Sequence, residues 1–340
     1  MADRVLITGV TGFIAKQVAR AALEAGYAVR GTLRDRAKGE ALTATLKKAG
    51  AETGRLELVE ADLTADAGWA EVAEGCRYVL HVASPFPMQQ PRDREALVPA
   101  ARAGSLRVLD AALAAGAERI VLTSSIVAMM YKPDRPAVYR FGEEAWSDPE
   151  WPALTSYIVS KTRAEQAAWA RMREAGAVDR LTVINPGFVL GPALDATIGT
   201  SLGAIQLILR GKYPALPPTA YPVVNVRDLA ELHVRAATAE GAGGRRLLAA
   251  ADTLSLPEMS AILRARFGEK ARKAPRLTLP RFAVRLAAMA DPALRSTVPD
   301  LDCRALAESG YVTELTGVAF RPGKEAVEAA GQSLFDHGLV

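Results

Sequence analysis

Short apolar runs alternate with longer stretches of helical spacing through the first half of the chain. The runs Val5–Thr8, Ala28–Leu33, Leu56–Val59, Tyr78–Val82, Arg119–Thr123 and Leu181–Asn185 are rich in Val, Ile and Leu. They lack strict alternation, which predicts strands covered on both faces. Between them, Phe13–Ala25, Asp93–Ala115 and Ser156–Ala175 carry the helical pattern. This succession predicts an α/β fold with a doubly wound parallel sheet. After Pro186 the pattern loosens into a glycine- and proline-bearing stretch, 187–222, that encloses one helix near Leu202–Arg210. A strand and helix within Val223–Ala239 and a strand at Arg246–Ala249 are expected to return to the sheet. Mostly helical segments then run to the end.

Composition changes this picture by exclusion. The 340 residues are 50% hydrophobic and 24% charged, as in a globular chain and unlike a disordered one. Forty-two basic and 38 acidic side chains leave +4, and they are interspersed, so no nucleic-acid surface is expected. Cys76 and Cys303, like His81, His233 and His337, are too scattered for a metal-ligand spacing or a disulfide framework. Met1-Ala2-Asp3-Arg4 leads directly into an apolar strand, with no targeting region and no later apolar span of about 18 residues. A cytoplasmic protein without membrane or nucleic-acid partners is expected, as a monomer or a homodimer.

Val5-Leu6-Ile7-Thr8-Gly9-Val10-Thr11-Gly12-Phe13-Ile14-Ala15 reads as strand, glycine turn and helix opening. Gly9 can carry the chain through the turn, and Gly12 lets the backbone approach a pyrophosphate with no Cβ in the way. The helix opening, from Thr11 through Phe13 and Ile14, offers unpaired N–H groups to that anion. Ala15 stands where a third glycine would let helix and strand pack closely. On this reading 1–186 and 223–250 form a dinucleotide-binding domain. Residues 187–222 and 251–340 form a smaller, mostly helical, discontinuous substrate domain. An acid at the end of the second strand would bind the ribose 2′-hydroxyl of NAD. The strand instead ends Gly31-Thr32-Leu33-Arg34, with Asp35 only after it and Arg36 and Lys38 beyond. A guanidinium there pairs with a 2′-phosphate, so NADP(H) is the expected cofactor.

Tyr157 and Lys161 are four residues apart in Thr155-Ser156-Tyr157-Ile158-Val159-Ser160-Lys161, hence on one face of a helix. They follow a strand that ends Thr123-Ser124-Ser125, and ligands of open α/β sheets bind at that edge. A phenol titrates near 10, so acid–base work near pH 7 needs about 4 kcal/mol of preference for the phenolate. One ammonium about 4 Å away supplies that order of magnitude at an effective dielectric of about 20. A serine at the strand end can hydrogen-bond a carbonyl oxygen and orient it toward Tyr157. The residues themselves leave Ser124 and Ser125 both open for that role.

Together these segments resemble the extended branch of the short-chain dehydrogenase/reductase superfamily, with its Rossmann-type sheet. The resemblance runs through Thr8-Gly9-x-x-Gly12-Phe13-Ile14-Ala15, the Val29–Asp35 strand end and Ala61-Asp62-Leu63. It continues through His81-Val82-Ala83-Ser84-Pro85, Thr123-Ser124-Ser125, Tyr157-x-x-x-Lys161 and Asn185-Pro186-Gly187-x-Val189-x-Gly191-Pro192. Within that branch the chain is similar to dihydroflavonol 4-reductases, cinnamoyl-CoA reductases and microbial NADPH-dependent aldehyde and carbonyl reductases.

The resemblance implies a catalytic triad of Ser125, Tyr157 and Lys161, with Lys161 also holding the nicotinamide ribose. It implies Asp62 and Leu63 at the adenine, Val82, Ala83 and Ser84 along the cofactor, and Pro186, Gly187 and Val189 at the nicotinamide. Asp62 also suits a plain capping role. The implied activity is reduction of an aldehyde or ketone to an alcohol, with hydride from NADPH and a proton from Tyr157. The alternatives are a sugar-nucleotide epimerase or dehydratase, against which Arg34 speaks, and a non-catalytic NADP sensor, against which the retained triad speaks. Ala15 in place of the usual glycine favours the microbial carbonyl reductases. Asn225 stands where the family often has an acid. The Asn-Trp-Tyr-Cys-Tyr signature of cinnamoyl-CoA reductases is absent around Tyr157, which disfavours that activity. Phe86, Pro87, Met88, Ile126, Met129, Phe188 and the 187–222 stretch are candidates to line a pocket for an apolar carbonyl compound. Trp146 and Trp151 are read as packing residues.

Overall fold

Val5 and Ile7 point into one buried layer and Leu6 into the other, the period of two that a strand covered on both faces requires. The computed structural model describes residues 2–84, 91 and 93–340. In chain order the first elements are β1 (Arg4–Ile7), α1 (Phe13–Glu24), β2 (Ala28–Leu33), α2 (Gly39–Lys48), β3 (Leu56–Glu60), α3 (Trp69–Ala73) and β4 (Tyr78–His81). There follow α4 (Val98–Ala114), β5 (Arg119–Thr123), β6 (Val138–Phe141), α5 (Ser156–Glu174), β7 (Leu181–Pro186), β8 (Phe188–Leu190) and α6 (Thr200–Leu209). The remainder comprises β9 (Ala215–Leu216), β10 (Ala220–Asn225), α7 (Val226–Ala236), β11 (Arg245–Ala249), β12 (Thr253–Ser255) and α8 (Leu256–Phe267). Last come β13 (Leu277–Thr278), α9 (Arg281–Ala287), α10 (Pro292–Arg295), β14 (Arg304–Ala307), α11 (Gly310–Thr316) and α12 (Gly323–Asp336).

Seven strands form one parallel sheet in the order β11-β7-β5-β4-β1-β2-β3. The chain winds outward from β1 to β3, then crosses to β4 and winds the other way. The loops after β1 and β4 therefore part at the carboxyl edge, and a crevice opens there. Helices α3, α4 and α5 cover the face carrying Leu6, Val79, Ile120 and Leu122, where Trp69, Leu109 and Met172 pack. Helices α1 and α7 cover the other face with Val18, Ala19, Leu229 and Leu232. At roughly 25 cal/mol per Å² of apolar surface removed from water, each such Leu or Ile stabilises the fold by about 1.5–3 kcal/mol.

The strand expected at Val223 does not rejoin the main sheet. Within β10 it pairs parallel with β8 and antiparallel with β12 in a three-stranded sheet, and of the two returning strands β11 alone adds to the seven. The cause lies at Gly187. A Cβ there would overlap the Pro222 carbonyl, so the chain leaving β7 runs directly against β10 and claims its edge. The start of α8 is fixed by a capping box. The Ser255 N–H donates to the Glu258 carboxylate at 2.6 Å, and the Glu258 N–H donates to the Ser255 hydroxyl at 3.3 Å. Among the described residues no helix is long and apolar enough to cross a membrane. No group of three or more His, Cys, Asp or Glu among them could hold a metal ion.

Candidate active site

The turn after β1 and the segment after β4 meet. Gly9 has φ +67°, and a Cβ on it would come within 2.8 Å of the Ala83 Cβ, so both the conformation and the contact require glycine. The Thr8 hydroxyl accepts the N–H groups of Val82 and Ala83, each at 3.0 Å. Its one proton therefore goes to His81 Nδ1 at 2.8 Å, which leaves the proton of neutral His81 on Nε2. Burial and the nearby charge of Lys161 hold His81 down at about 3. The Gly9 N–H donates to the Thr32 hydroxyl at 2.9 Å and the Val10 N–H to the Thr32 carbonyl at 2.9 Å, tying the turn to β2.

Gly12 is the N-cap of α1 in an extended conformation, and no side chain caps it. The first-turn N–H groups of that helix point toward the turn with the positive end of its dipole, as an anion requires. Ala15, 2% exposed, fills the close helix–strand contact. Arg34 is exposed at the end of β2, and Asp35 turns its carboxylate onto the Ala37 N–H at 3.0 Å. The cradle thus fits a dinucleotide with an exposed cation beside it, while Asp35 caps its own turn.

Asp62 accepts both the N–H and the hydroxyl of Thr64, at 2.8 and 2.9 Å, and these hydrogen bonds, helped by the charges of Arg34 and Arg107, lower its carboxyl. The Leu63 carbonyl accepts from Arg107. Asp62 thus closes a local turn onto Thr64 and does not cap α3, whose N-cap is Gly68. Pro85, Phe86, Pro87 and Met88 lie outside the described residues. Ile126 and Met129 are 5% and 1% exposed in a core cluster. Phe188 is half-buried and stacks on Tyr221 with ring centroids 5.4 Å apart.

Ser125 lies two residues beyond the end of β5, and Tyr157 and Lys161 lie in the first turns of α5. The Ser125 hydroxyl shares a side-chain hydrogen bond with Tyr157, which pulls the phenol down against the larger upward push of burial. The neighbouring Ser124 hydroxyl instead donates to Glu165 at 2.5 Å. Burial draws Lys161 down to about 8, opposed by the charge of Glu165. The charge of Lys161 in turn helps hold His81 down, and Lys161 itself is steadied by Glu165. Asn185 donates to the Ser125 carbonyl at 3.1 Å just before Pro186, and Gly187 donates to the Ala249 carbonyl at 2.9 Å.

Sequence reasoning missed Thr8, Thr32, Glu165, Asn185 and Arg246. Glu165 was findable, because it repeats the four-residue step from Tyr157 to Lys161. Arg246 had no signal, since its pairing joins positions 81 apart. The Lys16 ammonium, buried on α1, pairs with Asp195, and Gln17 donates to the Pro192 carbonyl at 2.9 Å. These contacts fasten the loop after β8 to the helix of the phosphate turn. A groove of about 550 Å³ between α1 and α7, lined by residues such as Arg20, Tyr27 and Arg227, includes none of the triad.

The model of the NAD dependent epimerase/dehydratase family matches residues 5–249. Cinnamoyl-CoA reductase CAD2 of Medicago truncatula is 37% identical over 250 residues, 72% of this chain and 75% of that protein. Anthocyanidin reductase of Vitis vinifera is 30% identical over 275 residues, 77% of this chain and 80% of that one. The yeast methylglyoxal/isovaleraldehyde reductase Gre2, solved in complex with NADPH, superposes with a TM-score of 0.80 at 26% identity. That match covers 99% of this chain and all of the yeast chain.

Proposed function

The chain belongs to the NAD dependent epimerase/dehydratase family and is an oxidoreductase, and we propose that it reduces an aldehyde or ketone to an alcohol at the Ser125–Tyr157–Lys161 site. The observation that carries this reading is the Ser125–Tyr157 hydrogen bond, with Lys161 one turn along the same helix at the carboxyl edge of the sheet. Bound NADPH supplies the hydride to the carbonyl carbon. Gly9, Gly12 and the first turn of α1 hold its pyrophosphate, and Arg34 meets the 2′-phosphate. Ser125 donates a hydrogen bond to the substrate oxygen and holds it against Tyr157, and the Tyr157 hydroxyl delivers the proton to that oxygen. Burial keeps that hydroxyl protonated at neutral pH, which suits an acid in the reductive direction. The Lys161 ammonium holds the nicotinamide ribose.

Residues 1–186 and 223–250 serve as the cofactor half of the molecule, and 187–222 and 251–340 as the substrate half. The Lys16–Asp195 pair joining α1 to the loop after β8 supports a site assembled between them. The stacked Phe188–Tyr221 pair favours an apolar substrate. The Asn-Trp-Tyr-Cys-Tyr signature of cinnamoyl-CoA reductases is absent around Tyr157, so the proposed substrate is an aldehyde or ketone and not a cinnamoyl thioester. The proposed setting is the cytoplasm. Arg34 favours reduction over epimerisation, whose enzymes usually retain NAD. A panel of aliphatic and aromatic aldehydes and ketones, followed by NADPH absorbance, tests the reading. Turnover of at least one class that disappears in Tyr157→Phe is expected, and no turnover across the panel with intact NADPH binding would sink it.

A further inference from the structure

Tyr157, Lys161 and Glu165 follow one another at four-residue steps and share one face of α5. The first two form the proposed site, and Glu165, 1% exposed, lies farther along that face. Its carboxylate accepts from Ser124 at 2.5 Å, from the Asn185 amide at 2.7 Å and from the Arg246 guanidinium at 2.6 Å, with the Trp169 indole at 3.4 Å. These donors come from the end of β5, from β7, from β11 and from α5 itself. Ser124 adjoins Ser125, and the same Asn185 amide also holds the Ser125 carbonyl. The backbone that presents Ser125 and the helix that presents Tyr157 and Lys161 are thus fastened to one carboxylate.

Stability alone does not account for this arrangement. Replacing a buried ion pair with apolar groups of similar volume is often neutral or stabilising. We propose that Glu165 is a positioning residue that keeps the Lys161 ammonium charged inside the fold and fixes Ser125 against Tyr157. This rests on reading those three residues as the working site. The groups facing Lys161 and Glu165 are Tyr157 on their own helix, His81 from β4 and Arg246 from β11. Buried His81 is neutral through the physiological range, and Glu143 is taken up by the Arg245 side chain and the Arg246 N–H. Glu165 is accordingly the charge that opposes the fall of Lys161.

The test is the reactivity of the Lys161 amine, measured by competitive acylation of the ligand-free enzyme at graded pH with peptide mass spectrometry. A unit charge one helical turn away is worth about two pH units at an effective dielectric of about 20, and the Arg246 charge acts on Lys161 equally with and without the carboxylate. Glu165→Gln should therefore lower the acylation midpoint by about two pH units. Arg246→Met, which leaves the carboxylate unpaired, should raise it. Ser124→Ala removes a hydrogen bond to the carboxylate but no charge and should leave the midpoint in place. Opposite shifts from the two ends of the ion pair support the proposal. Unchanged midpoints in folded variants, or shifts of the same sign, overturn it. If Glu165→Gln does not fold, Arg246→Met decides, and a midpoint that fails to rise overturns the proposal. Acylation needs no turnover, so a carbonyl panel without activity would defeat the proposed reaction and leave this result standing.

Discussion

Replacing Lys161 by methionine removes one charge while keeping most of the aliphatic stem, so lost packing is a poor explanation for whatever follows. Burial draws the Lys161 ammonium down to about 8. About nine in ten molecules then carry the charge at pH 7 and about one in ten at pH 9. If that charge holds the nicotinamide ribose, reductive kcat/KM of the wild type should fall along an alkaline limb centred at about pH 8. In Lys161→Met the limb should vanish from this range, leaving only the Tyr157 phenol, which burial pushes above its ordinary value. Hydrogen bonds from a charged donor are worth about 1.5–3 kcal/mol, so NADPH should bind about 10- to 150-fold more weakly. Folding holds this amine below its ordinary value, so carrying the proton opposes folding at pH 7. The variant should accordingly melt at a higher temperature while working less well. The assays are fluorescence titration with NADPH, a kcat/KM series across pH and thermal melts. Normal NADPH affinity together with an intact limb at about pH 8 would remove Lys161 from cofactor binding and assign the limb to another group.

Tyr157→Phe should lower turnover by about 10²- to 10⁴-fold while NADPH affinity changes little, and steady-state activity within tenfold of wild type would refute its role as proton donor. Arg34→Ala should raise KM for NADPH by about 10- to 100-fold and barely alter that for NADH, whereas equal effects would show that Arg34 does not meet the 2′-phosphate. His81 and His233 are held by burial at about 3 and about 4, against an ordinary 6.5, while burial pushes Asp300 up to about 7. From pH 6.5 toward 4 unfolding therefore takes up two histidine protons and releases one from Asp300, so stability should fall as pH drops; Asp300→Asn should roughly double that slope in pH-dependent melts, and an unchanged slope would refute the account.

What was legible in the sequence depended on the range of the interaction. β2 and β5 were bounded to the residue: β5 shows itself by its continuous apolar run Ile120-Val121-Leu122, and β2 by the glycine turn before it and Arg34 after it. α4 begins at Val98 and not Asp93, since Asp93 spends its carboxylate on the Glu95 N–H in a turn before the helix. The pairing of β10 was not legible. Whether Val223 joins the main sheet or a second one turns on the approach of Gly187 to Pro222, a contact between residues 35 apart that leaves no local pattern.

The candidate site divides along the same line, and the division has a physical reason. Gly9, Gly12, Tyr157 and Lys161 work through backbone conformation and helix spacing, which are local properties that composition and period reveal. Which way the Ser124 and Ser125 hydroxyls point is not a local property, and Glu165 takes the Ser124 hydroxyl. Glu165 can do so only because Asn185 and Arg246, brought in by β7 and β11, supply the other donors that a buried carboxylate needs. The residues proposed to touch the substrate are therefore read from motifs. The residues that hold them in place are read from the sheet order, because adjacent strands of a parallel sheet bring together side chains that the sequence keeps far apart.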